Sequence, residues 1–212
     1  GELFYELLVS EMTAQAGDPG SAYALMLDAA RKSNSARLYE RAIEIAYRAR
    51  SGDAALQAAQ AWARAQPSSK EANRYQLQIL LSLNKVTETQ EPLKRELARM
   101  STAERAIAIS LVPRYFARTT DKKLATSVVE KALTTELNNR TTGPAAWAAI
   151  GTMRLQAEDV SGAMEAVKRG LALDPESEDA ILLAVSLIEA KAPSAQALVR
   201  KYLGGKPSAE VR

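Results

Sequence analysis

A small residue recurs along this sequence about every 34 residues, and this spacing constrains the fold more than any other feature. The intervals between successive members are 33, 34, 36, 38 and 34 residues. The members are Ala22, Ala55, Thr89, Ala125, Ala163 and Ala197. A fixed period of this length indicates one supersecondary unit repeated along the chain, so we expect six units stacked on one another.

Composition indicates that each unit is a pair of helices. The chain of 212 residues is 47% hydrophobic but only 5% aromatic, so Ala and Leu must supply most of the packing. Ala has the highest helix propensity and lets helix backbones approach closely. Turn signals separate the paired helices in every repeat. They are Gly17-Asp18-Pro19, Ser51-Gly52-Asp53, Asn84-Lys85, Thr120-Asp121, Glu158-Asp159 and Ala192-Pro193.

Residues 144–177 resemble the tetratricopeptide-repeat (TPR) family in the places where that family carries its characteristic residues. These are Trp147, Gly151, Ala163, Gly170 and Pro175. The resemblance implies an all-α fold, a right-handed α-solenoid of about six TPR-like helix hairpins, forming a single domain over 1–212. The repeats would span approximately 3–34, 36–68, 70–102, 106–139, 144–177 and 178–208.

Two repeats depart from the pattern. In the third, Thr89 replaces the usual Ala, and Pro92 stands in the first turn of the second helix, where proline is tolerated. In the fourth, Pro113 is expected to kink the first helix or to delay its start to about that residue. The insertion at 138–143 reads as a loop that leads into a helix beginning near Pro144.

The residues that are absent exclude most catalytic chemistry. The chain has no Cys and no His, which removes thiol nucleophiles, histidine bases and nearly all zinc sites. No phosphate-binding or nucleophile-elbow motif is present. We therefore predict a protein that is not an enzyme, with no catalytic residues, no metal site and no cofactor.

Charge and hydropathy argue against nucleic acid and membrane spans. The 28 Lys and Arg are interspersed with 25 Asp and Glu, giving a formal net charge of +3. A nucleic-acid binder would need its basic residues clustered with stacking aromatics, so we expect no nucleic acid. No apolar run approaches the roughly 20 residues of a membrane-spanning helix.

In a TPR-like stack, the first helix of each hairpin lines the concave surface. The inward positions of repeats two to four carry several arginines, which would take acidic segments or a C-terminal carboxylate of a partner protein by bidentate hydrogen bonds. The alternative is an ordinary charged surface exposed to solvent, in which oppositely charged side chains pair at i,i+4. The candidate residues are Arg37, Glu40, Arg41, Glu44, Arg48, Arg74, Gln78, Arg114 and Arg118.

The first helix supplies a second candidate surface. Leu3, Phe4 and Leu7 belong to an unusually apolar N-terminal stretch, which would dock a partner or another copy of the chain. The alternative is that the stretch packs within the stack on residues such as Tyr23 and Met26. Self-association is therefore left open.

Residues 3–67 resemble the N-terminal region of TPR lipoproteins of Gram-negative bacteria. The similarity is carried by Gly17-Asp18, Ala22-Tyr23, the segment 40–46 with the sequence ERAIEIA, and Trp62 ahead of Pro67. The resemblance implies a scaffold or adaptor in the periplasm, and such proteins are anchored to the outer membrane by a lipid, here upstream of Gly1. One group of such proteins recruits a periplasmic processing protease to its cell-wall hydrolase substrates.

Two hypotheses of different classes follow. The leading one is a non-catalytic protein-protein interaction scaffold in the cell envelope. The alternative is a structural or assembly module of an envelope export or polysaccharide-secretion system. The chain opens at Gly1, so we expect a fragment of a longer protein, and a cytoplasmic location is left open.

Overall fold

The computed structural model describes residues 2–15, 17–190 and 193–204, apart from the side chains of 2–4, 6, 7, 14, 15 and 193. Every regular element in these ranges is a helix, which confirms the all-α prediction. The chain forms two compact units, Gly1–Lys85 and Val86–Arg212. The boundary falls inside the third predicted repeat, and each unit is described in turn.

The first unit consists of five helices that pack in chain order, each against the next. They are α1 (Glu2–Gln15), α2 (Pro19–Ser33), α3 (Ala36–Arg48), α4 (Gly52–Ala65) and α5 (Lys70–Ser82). Short connections of this kind between neighbouring helices produce hairpins.

Local sequence sets where these helices begin and end. At the start of α2, the carboxylate of Asp18 accepts a hydrogen bond of 3.1 Å from the backbone N–H of Ser21, and Pro19 occupies the first helical position. The same helix ends at Asn34, which adopts the left-handed conformation with φ of 50°. Ser69 caps α5 through the N–H of Ala72. Side chains thus satisfy the exposed N-termini of α2 and α5, whereas Ser51 at the start of α4 makes no such hydrogen bond.

The core of the first unit combines alanines with one aromatic stack. Ala22, Ala42 and Ala55 are fully buried, as close helix packing requires. The ring of Trp62 on α4 stacks on Tyr39 of α3, with centroids 6.1 Å apart and planes inclined by 3°. Its other neighbour is Tyr75 of α5, at 5.5 Å. Trp62 therefore packs helices together, as its place in the repeat suggests.

In the described residues of the second unit, 86–190 and 193–204, there are seven α-helices and a short 3₁₀ helix at Val86–Thr89. The helices are α6 (Gln90–Ala98), α7 (Thr102–Tyr115), α8 (Lys122–Ala132), α9 (Gly143–Gln156), α10 (Val160–Leu173), α11 (Glu178–Glu189) and α12 (Pro193–Leu203). Helix α9 is the centre of the unit, because it packs against α7, α8, α10 and α11.

Helix α9 is held closely by its neighbours because its sequence is rich in small residues. A Cβ added to Gly151 would overlap Cδ2 of Leu183 on α11 and would lie 2.9 Å from Cβ of Ala166 on α10. The indole N–H of Trp147 donates to the carbonyl oxygen of Leu137 at 3.0 Å. The guanidinium of Arg169 lies 4.8 Å from the centre of the same ring.

The fourth predicted repeat differs from expectation at its first helix. Helix α7 begins at Thr102, well before Pro113, so the expectation of a delayed start is wrong. The start is fixed by a capping box, in which Ser101 and Glu104 satisfy each other's backbone N–H groups. Pro113 is buried in the last turn, and the helix ends at Tyr115. The capping box thus determines where α7 begins, and Pro113 lacks only one backbone N–H near the end of the helix.

A buried ion pair connects α7 to the connection between α8 and α9. Arg105 donates to Oε1 of Glu136 at 3.1 Å, and to the carbonyl oxygens of Leu97 and Met100 at the end of α6. The hydroxyl of Thr142 donates to Oε2 of Glu136 at 2.6 Å. The side chain of Glu136 is only 9% exposed, so its charge depends on these partners.

We expect Arg105→Met to destabilise the second unit strongly. The substitution leaves the buried carboxylate of Glu136 without its cation, which typically costs about 3 kcal/mol or more. Urea denaturation followed by far-ultraviolet circular dichroism measures the effect. The control is Arg140→Met, at an exposed position in the loop before α9, which should change stability by less than about 0.5 kcal/mol. Equal stabilities of the two variants would contradict a structural role for the ion pair.

We also expect Gly151→Val to destabilise the second unit, by about 1–3 kcal/mol, because the added side chain must displace Ala166 and Leu183. Thermal unfolding provides the measurement. Ala172→Val places the same side chain at an exposed position of α10, where only the small loss of helix propensity is expected. If the two variants melt alike, α9 is not closely packed at Gly151.

Candidate functional site

Three helices of the second unit form a groove. Helix α9 lies between α7 and α11 and packs against both, so residues of α7 and α11 rise on either side of it. A cavity of about 300 Å³ opens between them, which we call the α9 cavity. It is lined by Ser110, Pro113, Arg114, Ala117, Ala148, Ala149, Thr152, Gln156, Asp179, Leu182, Leu183 and Ser186.

The floor of the α9 cavity is apolar and made of small side chains. Ala148 and Ala149 are 7% and 3% exposed, and they belong to the alanine-rich start of α9. Larger residues at these positions would fill the space. Leu182 stands at the side and is 39% exposed, so an apolar surface remains open to a ligand.

The rim of the cavity is polar. The hydroxyl of Ser110 on α7 donates to Oδ2 of Asp179 on α11 at 2.9 Å, which bridges the groove across α9. The guanidinium of Arg114 is exposed on α7, one turn after Ser110. Within the described part of the chain, the guanidinium of Arg114 makes no hydrogen bond or ion pair. The groove therefore offers an exposed cation at Arg114, and the carboxylate of Asp179 accepts the hydrogen bond from Ser110 and keeps its negative charge.

The structure separates the two predicted residues of the fourth repeat. Arg114 lines the α9 cavity, as a groove residue should. Arg118 is exposed in the turn after α7 and is not part of the cavity lining.

In the first unit, the predicted residues of α3 include an ion-pair cluster. Nε and Nη2 of Arg41 donate to the two carboxylate oxygens of Glu11 on α1, at 2.7 and 2.6 Å. Nη1 of the same side chain donates to Glu44 at 2.8 Å, a pair at i,i+3. Arg41 therefore joins α1 to α3 and is less available to a partner than its neighbours are.

A cavity of about 500 Å³ adjoins this cluster within the first unit. Arg41, Arg48 and Glu11 contribute polar groups, and the buried side chain of Ile45 contributes an apolar one. Arg48 is exposed and lies close enough to Glu11 to stabilise its charge.

The Arg41 hydrogen bond is the largest influence on the titration of Glu11. It holds the pKa of the Glu11 carboxyl below its ordinary value, against a smaller opposing effect of burial, and the charges of Arg41 and Arg48 act in the same direction. The same contacts with Glu11 and Glu44 raise the pKa of Arg41. The pair thus favours both charged forms.

The remaining predicted residues occupy the following places. Arg37 is exposed and Glu40 is half-buried on α3, and Arg74 and Gln78 are exposed on α5. Leu3, Phe4 and Leu7 belong to α1, but their side chains lie outside the described residues.

Sequence reasoning missed most of the α9 cavity. The predicted groove residues are almost all charged, whereas the floor of this cavity consists of alanines. Asp179 is not among the predicted groove residues, although its side chain accepts the hydrogen bond from Ser110. The available signal was the pair of alanines on each side of Trp147, at 145–146 and 148–149, on a predicted first helix.

The arrangement is suited to binding. Within 2–15, 17–190 and 193–204 no group of three acidic side chains could hold a metal ion. No helix in the described part of the chain is long and apolar enough to cross a membrane. The fold and the groove define an all-helical protein of packed helix pairs with an open groove.

Comparisons with known proteins give structural neighbours only. The chain matches no family model, and no curated protein matches its sequence. A solved structure of PilW, a widely conserved type IV pilus biogenesis factor, is 18% identical, with a TM-score of 0.44 over 99% of this chain and 96% of that one. MamA from Desulfovibrio magneticus RS-1 is 15% identical, with a TM-score of 0.41 over 83% and 97%.

A third neighbour is the C-terminal part of a TPR repeat-containing protein from Cytophaga hutchinsonii. It is 17% identical, with a TM-score of 0.44 over 93% of this chain and 78% of that one. The third of these neighbours is thus a TPR repeat-containing protein. At these identities and TM-scores, nothing that the neighbours do is transferred to this chain.

We expect Glu11→Gln to destabilise the first unit by about 0.5–1 kcal/mol at pH 7, the range of a partly exposed ion pair. The folded-state pKa of Glu11 is lowered, so its contribution is complete above the ordinary value of 4.5 and is lost as pH falls through the folded value. Urea denaturation at pH 7 and pH 3 provides the test. The Arg41→Gln and double variants complete a mutant cycle. A difference between Glu11→Gln and the unsubstituted chain that persists undiminished at pH 3 would refute this assignment.

Proposed function

We propose that the chain is a non-catalytic scaffold that binds a segment of a partner protein in the groove formed by α7, α9 and α11. One observation carries the proposal. The α9 cavity combines an apolar floor with the exposed guanidinium of Arg114 and is open to solvent. Concave sites with an apolar base and a few placed polar groups are the usual form of binding sites.

The small floor determines what kind of ligand fits. Because Ala148 and Ala149 project little from α9, a polypeptide backbone can approach the helix and its side chains can enter the cavity. Thr152, Gln156 and Ser186 supply neutral hydrogen-bonding groups around it. A planar guanidinium such as that of Arg114 binds a carboxylate through two parallel hydrogen bonds.

The predicted residues outside the cavity are proposed as further contacts with protein partners. On α3 and α5 they are Arg37, Glu40, Arg41, Glu44, Arg48, Arg74 and Gln78, and beyond α7 there is Arg118. Within the described residues, the side chains of Arg37, Arg74 and Arg118 make no hydrogen bond or ion pair and suit an acidic partner surface, whereas Arg41 is held by Glu11 and Glu44. Leu3, Phe4 and Leu7 are proposed as an apolar docking surface on the basis of the sequence alone.

The cellular setting is proposed from the resemblance of residues 3–67 to TPR lipoproteins of Gram-negative bacteria. On that basis the chain works in the periplasm, near the outer membrane. Its partners would be a processing protease or the cell-wall hydrolases on which such a protease acts. The alternative role in an envelope export or polysaccharide-secretion system would not require a groove that selects a ligand.

The groove proposal is tested by affinity capture from a periplasmic extract with Arg114→Glu. We expect the unsubstituted chain to retain a specific set of proteins and Arg114→Glu to lose them by at least about tenfold, since a like charge now faces the ligand carboxylate. Quantitative mass spectrometry of the retained proteins provides the measurement.

The matched control is Lys168→Glu, which makes the same change of charge at an exposed residue of α10, outside the lining of the groove cavity. It should retain the same proteins as the unsubstituted chain. Equal capture by Arg114→Glu would show that the groove is not the binding site. Loss of capture with both variants would show that the net charge of the chain, and not the groove, determines binding.

A further inference from the structure

We propose that α7 is a dimerisation helix, on which α7 of a second copy of this chain docks antiparallel about a two-fold axis at Leu111. The proposal goes beyond the groove function, because it concerns a different face of α7. Ile107, Leu111 and Tyr115 do not line the α9 cavity. A failure of self-association would therefore leave the groove proposal intact.

An apolar stripe of α7 is open to solvent. Its members are Ile107, Leu111 and Tyr115, which are 66%, 36% and 56% exposed. Residues four apart lie on the same face of a helix, so the three form one continuous stripe. The opposite face carries Ile109 and Val112, which are buried. Single exposed apolar residues are common on protein surfaces, whereas contiguous exposed apolar surface is typical of an interface.

A charged residue stands beyond each end of the stripe, and the two charges have opposite signs. Glu104 lies three residues before the stripe and Arg118 three residues after it, and both are exposed. At Arg118 the chain has left α7, but it continues as a tighter turn, because the backbone N–H of Ala117 donates to the carbonyl oxygen of Arg114. Residues three apart in such a turn lie on one side. Both charged side chains therefore border the stripe.

The order of these residues makes this face of α7 complementary to itself. Ile107 and Tyr115 are each four residues from Leu111, and the two charged residues are each seven residues from it. A second α7 that runs antiparallel about Leu111 brings Ile107 of one copy to Tyr115 of the other. The same register brings Glu104 of one copy to Arg118 of the other, twice in the dimer. Because two-fold interfaces require one surface to match itself, a second copy is the occupant that this face fits.

The other charges near the stripe are compatible with this pairing. Arg114 is exposed on the groove side of α7, and its antiparallel counterpart is the neutral Ala108. Asp179 on α11 accepts a hydrogen bond from α7 and keeps its negative charge, so the groove side of each copy carries one cation and one anion. Residues 121–123, at the start of α8, comprise one anion and two cations. The charge near Arg118 thus stays positive, which favours the carboxylate of the second copy.

The size of the surface determines the expected strength of the dimer. Helix α7 has 14 residues, so it extends about 21 Å. A single pair of such helices buries less than the roughly 1,200–2,000 Å² of stable complexes. We therefore expect a reversible dimer with a Kd on the order of 100 µM.

Sedimentation velocity of the whole chain between about 5 µM and about 1 mM covers this range of Kd. We expect the unsubstituted chain to change from monomer to dimer as its concentration rises. Leu111→Glu places two like charges on the axis and should weaken association by at least about tenfold. The matched control is Leu203→Glu at the end of α12, where the leucine is 43% exposed against 36% for Leu111. This control should associate like the unsubstituted chain.

Exchange of the two charges tests the antiparallel register. Glu104→Lys alone opposes two cations at both ends of the dimer, and Arg118→Glu alone opposes two carboxylates. Each variant should associate at least about threefold more weakly. An equimolar mixture of the two variants has opposite charges at both ends and should associate like the unsubstituted chain. Because Glu104 also belongs to the capping box, circular dichroism checks that its variant is folded, and recovery on mixing cannot result from misfolding.

Three results would overturn the inference. The first is a chain that stays monomeric over the whole concentration range. The second is equal association of Leu111→Glu and Leu203→Glu, which would assign self-association to another surface. The third is a mixture of the charge variants that associates no better than either variant alone. The groove proposal keeps its own criterion, which is the loss of protein capture by Arg114→Glu.

Discussion

Close approach between helices is the constraint on which the second unit depends. Helix α9 packs against four other helices, and Gly151 leaves no room for a Cβ beside Leu183 and Ala166. The same helix presents Ala148 and Ala149 to the groove. Small residues along one helix therefore do two things: they hold the unit together, and they leave a cavity on its surface.

A different kind of interaction, an ion pair with further hydrogen bonds, connects α7 to α6 and to the loop before α9. Helix α7 rests on α9, but it is joined to the end of α6 and to the loop before α9 by Arg105, with Glu136 as the buried partner. In the first unit, the bidentate pair of Arg41 and Glu11 joins α3 to α1. Charged residues thus connect helices in each unit, and a charge on a repeat helix is an ambiguous sign of a binding surface.

The sequence was sufficient to predict the class of the fold, because the recurrence of a small residue and the turn signals depend on local and periodic constraints. The capping box at Ser101 and Glu104 is an equally local signal. It starts α7 at Thr102, whereas the prediction relied on Pro113 and placed a possible start too late. The ion pair of Arg41 with another helix could not be predicted from the sequence. Its partner Glu11 lies 30 residues away, and no periodic pattern identifies which groove residues pair across helices. The α9 cavity exists because the side chains at its floor are small, and charged residues in the sequence do not indicate such a site.

The tryptophans described above have a further consequence for observing the protein in solution. The sequence contains two, Trp62 in the first unit and Trp147 in the second. The first is stacked on Tyr39 and contacts the tilted ring of Tyr75, and the second lies beneath a guanidinium. Each unit accordingly carries its own intrinsic fluorophore in a distinct environment, so single-tryptophan variants can report optically whether the two halves of the chain lose structure together or in sequence.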